Sequence, residues 1–246
     1  MTERTELLEF AIEAHGGLTR WREVACITAT ASAGGVLWAS KGHAGAFDDP
    51  VTVTVETHTQ RCSIAGLTGR DRQAVFTPNR VAIETTGGGL VQERRDPRAS
   101  FVPRSAAPWD ALQLAYFVGY AQWTYLTVPF LLAEPGFRTE EIDPAEEDGE
   151  VRRRLRARFP SHIASHCSEQ VFHFGPDGLL RRHDYTAEVL AGDLGHLSVA
   201  HYVSDHVRSG GISFPTRRRA VRLQLDGTTI PQPVFVTVQL GEIAVE

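Results

Sequence analysis

The stretch VFHFGPDGLLRRHDY, residues 171–185, decides the fold class. Gly175-Pro176-Asp177-Gly178 is a turn sequence: Pro176 presets φ, Asp177 can bond its own backbone, and Gly178 can take positive φ. Two antiparallel strands therefore flank it. Side chains alternate along a strand, so the outgoing one carries Arg181, His183 and Tyr185 on one face and Arg182 and Asp184 on the other. The register stays open at this point. A two-residue loop puts Phe172 and Phe174 on the His183 face, whereas a bulge at Gly178 puts His173 there.

Working outward, short apolar or alternating runs at 27–31, 36–39, 51–55, 62–64, 74–76 and 81–85 are each bounded by Gly, Pro, Asn or Asp, and predict a strand meander. Gly87-Gly88-Gly89 is followed by neither a lysine nor a helix, so it is a hairpin turn rather than a phosphate loop. Strands resume at 138–142, turn at 144–149, and continue through 151–159, 169–174, 179–189, 197–206, 216–225 and 234–240, and the chain ends on a strand over 234–245. Helical spacing appears twice. Leu7, Leu8, Ala11 and Ile12 predict an N-terminal helix with Thr2 as N-cap and His15-Gly16-Gly17 as its stop. Trp109, Leu112, Tyr116, Tyr120 and Trp123 mark one side of a helix within 108–133, broken near Thr127-Val128-Pro129.

The 246 residues read as one domain, 1–246, mainly β with an α+β character. A net charge of -5 argues against partners recognised through nucleic-acid phosphates, and no apolar run is long enough to span a bilayer. Arg152–Arg154 and Arg217–Arg219 sit in alternating patterns and read as strands with one wet face. Lys41 is the one lysine among 25 basic residues, an arginine bias of the kind a GC-rich genome produces. The N-terminus shows no secretory leader, and Cys26, Cys62 and Cys167 form no CxxC pair, so the expected compartment is the cytosol with reduced thiols.

Ten histidines raise the question of a metal. His162 and His166 have the spacing of two ligands on a helical face, but Pro160 and the strand near Cys167 leave barely one turn, and no carboxylate completes a set. The five-residue spacing of His196, His201 and His206 fits neither a helix nor a strand face. No cofactor motif is present: GxSxG, Walker, CxxC and HExxH patterns are all lacking. The groups best placed for chemistry are His183 as acid/base, with Tyr185 or Arg181 stabilising negative charge. The rings of Trp109, Tyr116, Tyr120, Trp123, Phe172 and Phe174 are the candidate ligand-binding surface, since pockets are mostly apolar and aromatic.

Three segments, AHGGLTRWREVACITATASAGG, APWDALQLAYFVGYAQWTYLTVPF and FHFGPDGLLRRHDY, resemble a group of proteins without assigned function found mainly in GC-rich, actinobacterial-type genomes. The element order is also similar to the LolA/LolB lipoprotein-carrier fold. That resemblance implies an open antiparallel half-barrel, with the N-terminal helix and the central aromatic segment packed on its concave face. It also implies a hydrophobic cargo, and the same architecture supports cofactor-independent chemistry in violacein biosynthesis. The leading expectation is a cytosolic binding protein for a hydrophobic or aromatic small molecule held between the sheet and the 108–133 segment. The alternative is a cofactor-independent enzyme of specialised metabolism using the same cavity. No oligomeric state is specified.

Overall fold

A computed structural model describes residues 4–101, 107–190 and 197–246. It shows one 14-stranded antiparallel sheet. Strands β1 (Cys26–Gly34), β2 (Val51–Glu56), β3 (Arg61–Gly66), β4 (Gly69–Thr77), β5 (Arg80–Thr85) and β6 (Leu90–Arg95) form one meander. A second meander comprises β7 (Arg138–Glu147), β8 (Glu150–Arg158), β9 (Glu169–Phe174), β10 (Leu180–Thr186), β11 (Ser198–Ser209) and β12 (Ile212–Leu223). The short β13 (Thr229–Ile230) pairs with β12, and β14 (Val236–Val245) pairs with β1 on one side and β12 on the other, joining the two meanders. The chain's last strand is thus central, and the outermost strands are β6 and β7. Both edges carry charges, Glu93 and Arg95 on one and Glu140 and Glu141 on the other, which discourages pairing with a further strand.

Helix α1 (Glu6–His15) is capped by Thr5, whose hydroxyl accepts from the Leu8 amide at 3.3 Å. The expected cap Thr2 lies outside the described residues. After the short α2 (Leu18–Trp21), a third helix, α3 (Val36–Ser40), replaces the strand expected at 36–39. Strand β1 ends at Gly34, and Trp38 Nε1 donates back to the Gly34 carbonyl at 3.0 Å, closing a turn that a four-residue apolar run cannot distinguish from a strand. The acidic turn expected over 144–149 is another correction. Strand β7 continues through an irregularity between Ile142 and Ala145 to Glu147, because Ala145, Glu146 and Glu147 still find partners on β8.

Helix α4 (Ala111–Thr127) connects the meanders. Asp110 accepts from the Gln113 amide at 2.8 Å while the Gln113 side chain accepts from the Asp110 amide at 2.9 Å, a complete capping box. It lies against β2 through β5 and buries 15 of its 17 residues. The aromatic stripe is therefore one part of a helix apolar all round, and a helix so clothed belongs in a protein interior.

The sheet face beneath α4 and α1, called the inner face below, changes character across the molecule. Ala29, Val53 and Ile64 align across β1–β3 by register and are fully buried. On the other meander one cross-strand row reads Ala220, His201, His183, Phe172 and Leu155. Two histidines stand in a row that is otherwise apolar. The hairpin register that puts them there pairs Phe174 with Leu180 and Phe172 with His183, with an irregularity between Leu180 and Arg182. Gly178 takes the expected positive φ of 76°.

Candidate functional site

Above that row, the connection from β8 to β9 folds inward and buries His166, while α4 delivers Tyr120 and Tyr125. Tyr120 and Tyr125 hydroxyls lie 3.3 and 3.1 Å from His166 Nδ1 and Nε2. The Tyr125 hydroxyl is also 3.5 Å from that of Tyr185, which in turn lies 3.4 Å from His201 Nδ1. The His166 ring stacks on Tyr185 at 3.9 Å with an interplanar angle of 7°. Five buried side chains thus form one hydrogen-bonded chain inside an apolar core.

The chain can run in either direction, with four hydrogen bonds each way. A neutral imidazole has one donor and one acceptor nitrogen. If Tyr120 donates to His166 Nδ1, His166 Nε2–H donates to Tyr125, Tyr125 to Tyr185, and Tyr185 to His201 Nδ1. Reversing it takes from the buried Tyr120 hydroxyl the one acceptor that its hydrogen has in this chain, whereas the first direction leaves the terminal hydrogen on His201 Nε2. In the first direction His201 Nε2 is a proton donor, and that atom is buried without a partner among the described residues. Burial keeps both rings neutral: it lowers His166 to about 3, helped by Arg98, and pushes His201 well below its ordinary value, helped by Arg218. The Tyr125 phenol is raised to about 12 for the same reason.

Arg218 lies on the inner face beside this chain and is 4% exposed. Its guanidinium sits over the Tyr125 ring at 4.6 Å, and one terminal nitrogen donates to the Tyr125 carbonyl at 2.7 Å. No carboxylate of the described residues pairs with it, and its Nε has no partner. Burial lowers its pKa to about 10, which leaves it charged at neutral pH.

A cleft of about 430 Å³ opens between Tyr116 of α4 and the β8–β9 connection. Phe159, Ile163 and Ala164 line it together with Arg98 and Glu188, which form an ion pair of 2.5 Å at its rim. Arg98 also donates to the Ser165 carbonyl at 2.7 Å, fixing the segment that carries His166. The wall of the cleft is therefore the back of the buried chain.

The residues singled out in the sequence are placed as follows. His183 and Tyr185 converge on the inner face with ring centroids 4.8 Å apart, and His183 Nε2 lies 2.6 Å from Gln170 Oε1. Arg181 does not join them. It is the extra residue at the hairpin irregularity and binds Asp177 at 2.7 Å and Glu150 at 3.4 Å. Tyr116 lines the cleft and Tyr120 holds His166. Phe172 stacks on His183 at 4.3 Å, and Phe174 meets His15 edge-on at 6.4 Å. Trp109 packs on Phe101 and Phe117, and Trp123 Nε1 donates to the Glu56 and Thr59 carbonyls at 2.8 and 3.1 Å, an anchor of α4. All six rings are buried. His162 lines the cleft while His166 is buried in the core behind its wall, so the two do not face a common point. His196 lies outside the described residues.

The opposite face holds a second polar cluster. His173 Nε2 lies 2.9 Å from Asp184, which also takes two bonds from Arg182; Arg182, Arg152 and Tyr202 meet on Glu147. Arg152 and Arg182 are buried by these partners, so the arginine-rich strands are not simply wet on that side. Beyond them lies an open groove of about 700 Å³ over β1, β14, β12 and β11, with Tyr202, Arg217, Arg219 and Thr237 on it. Arg217 is already paired with Asp205 at 2.9 Å and Arg219 with the Pro231 carbonyl at 2.7 Å.

Tyr125, Gln170 and Arg218 are not among the sequence candidates, and His166 and His201 are weighed there without being assigned to the site. Tyr125 falls off the aromatic stripe, and His166 draws notice there only for its spacing from His162. Arg218 did carry a signal: the middle member of an arginine triplet in a strand must face opposite its neighbours.

No protein-family model matches the chain, and no curated protein matches it. Among solved structures, it is similar to a LolA superfamily protein from Nitrosomonas europaea, with a TM-score of 0.52 and 10% identity over 98% of this chain and 92% of that one. It is equally similar to a DUF1329 family protein from Desulfovibrio piger, with a TM-score of 0.52 and 12% identity over the same shares of the two chains. With the open 14-stranded antiparallel sheet, these likenesses give the chain a LolA-like fold.

Proposed function

We propose that this protein binds a hydrophobic or aromatic small molecule between the inner face of the sheet and the α4 segment, as a cytosolic carrier or sensor. The cleft beside Tyr116 carries this reading: about 430 Å³ is ample for a small organic ligand, and its walls mix apolar side chains such as Phe159, Ile163 and Ala164 with polar ones such as Asn79, Ser165 and Arg98 that can orient one. The three unpaired cysteines fit a reducing compartment. No helix among the described residues is long and apolar enough to cross a membrane.

Filling the cleft tests the reading. Ile163 is half-buried on its wall, so Ile163→Trp adds bulk there without opening the core. A ligand that binds the folded state raises the thermal midpoint as its concentration rises above Kd. The expected result is that decanol or naphthylmethanol raises the midpoint of the wild type, and that Ile163→Trp weakens binding by about tenfold or more. Equal binding by the variant places the ligand elsewhere.

The convergence of His183 and Tyr185 favours a second reading, cofactor-independent catalysis at the same site. Burial, with His201 and His166 nearby, holds His183 well below its ordinary pKa. A neutral His183 gives its one N–H to Gln170 Oε1, so toward a substrate its other ring nitrogen would accept a hydrogen bond, as a weak base.

A further inference from the structure

Among the described residues, Arg218 is a buried cation without an anion. A guanidinium withdrawn from water costs several kcal/mol unless a partner compensates it, and here the compensation is one carbonyl and the face of one phenol ring. His201 Nε2 is likewise buried without a partner among the described residues. His201 stands on the adjacent strand, diagonal to Arg218, since Val203 pairs with Arg218 and Ala220 with His201. Such diagonal neighbours on one sheet face are roughly 7–8 Å apart at the backbone, within reach of a shared two-oxygen group. Both side chains touch the same ring: Tyr125 lies 4.6 Å from the guanidinium and 4.8 Å, edge-on, from His201. Arg218 Nε, unpartnered among the described residues, is a hydrogen-bond donor, and so is the likewise unpartnered His201 Nε2 in the tautomer whose Nδ1 accepts from Tyr185.

We propose that the ligand of this protein carries an acidic head group, a carboxylate or an equivalent oxyanion, that binds Arg218 and His201 on the inner face while its apolar body lies along α4. This rests on the binding reading above and narrows it to a class, hydrophobic organic acids. Tyr125 covers the cation in the ligand-free fold, and the acid takes over that role when bound. An arginine matches a carboxylate through its planar fork, so Arg218→Lys would retain the charge but lose the two-bond geometry.

The test uses the full chain and two matched pairs, decanoate with decanol and naphthoate with naphthylmethanol, titrated calorimetrically against the wild type and Arg218→Met. Each acid is expected to bind the wild type at least about tenfold more tightly than its alcohol. In Arg218→Met the preference falls to within about twofold, and the ligand-free thermal midpoint stays at or above that of the wild type because an uncompensated buried charge has gone. If Arg218→Met does not fold, Arg218→Lys and His201→Gln carry the test, and each reduces the acid preference. Acids and alcohols that bind the wild type equally, or a preference that survives these substitutions, overturn the inference and leave the binding reading standing. If none of the four compounds binds, both fall.

Discussion

Lowering the pH from 6.5 to about 5 removes much of the protein's stability. His15 and His206 are held down to about 4 and His166 to about 3, in each case first by burial, and His183 and His201 well below their ordinary value by the same cause. Each is neutral in the fold and takes up a proton freely only when the chain unfolds. The sign follows: above 6.5 neither state is protonated and stability is full, and below it the unfolded state gains protons that the folded state refuses. The loss grows by about 1.4 kcal/mol per histidine per pH unit until the folded pKa is reached. For fully buried His166 that is roughly 2 kcal/mol at pH 5, and several such groups act together against a total stability of about 5–15 kcal/mol. Asp184, which His173 and Arg182 hold below the carboxylate range against the opposing effect of burial, adds its loss only at still lower pH. Thermal melts at half-unit steps of pH check this. A midpoint that stays level from pH 7 to 5 contradicts the burial of these rings. His15 offers a finer check. Its Nδ1–H donates to the Ala11 carbonyl at 2.7 Å, leaving Nε2 orphaned, so His15→Gln lessens the slope by about one proton.

The second large effect is steric. Gly119 lies where α4 crosses β4, and a Cβ built there would come within 2.4 Å of Phe76 Cβ. That atom is fixed to the backbone and cannot rotate away, so Gly119→Ala must lift the helix off the strand or shift the strand itself. Overpacking in a closed core costs about 1–3 kcal/mol and more when backbone moves, easily outweighing the gain of roughly 1 kcal/mol that alanine brings to a helix interior. The expected result is a net loss of about 2 kcal/mol or more in urea unfolding, together with weaker ligand binding, because α4 forms one wall of the site. A variant as stable as the wild type would show that the helix does not approach the sheet so closely.

Several features were legible in the residues because they are local. The turn Gly175–Gly178, the break at Val128-Pro129 and the alternation of 151–159 each rest on a few neighbouring side chains, and each has its expected counterpart. The hairpin register could be reduced to two alternatives but not decided, since either places aromatic or imidazole rings opposite His183; the observed pairing puts Phe172 there and spends the extra residue on Arg181. Joining of the meanders by β14 depends on pairing residues 26–34 with 236–245, a contact across nearly the whole chain that no local pattern encodes. The site was hidden for a related reason. Helix α4 is apolar on every side, so its period does not distinguish the turn that faces Arg218 from the turn that faces β4, and Tyr125 passed as ordinary. His166 becomes visible only because the β8–β9 connection folds inward rather than over the surface.

The most direct test of ligand binding is native mass spectrometry of the full chain, purified from its own host without detergent and then incubated with decanoate or naphthoate. The expected result is a non-covalent organic adduct on the isolated protein that disappears on denaturation and is replaced by the added acid. A chain that is bare as isolated and remains bare after incubation with both acids contradicts it.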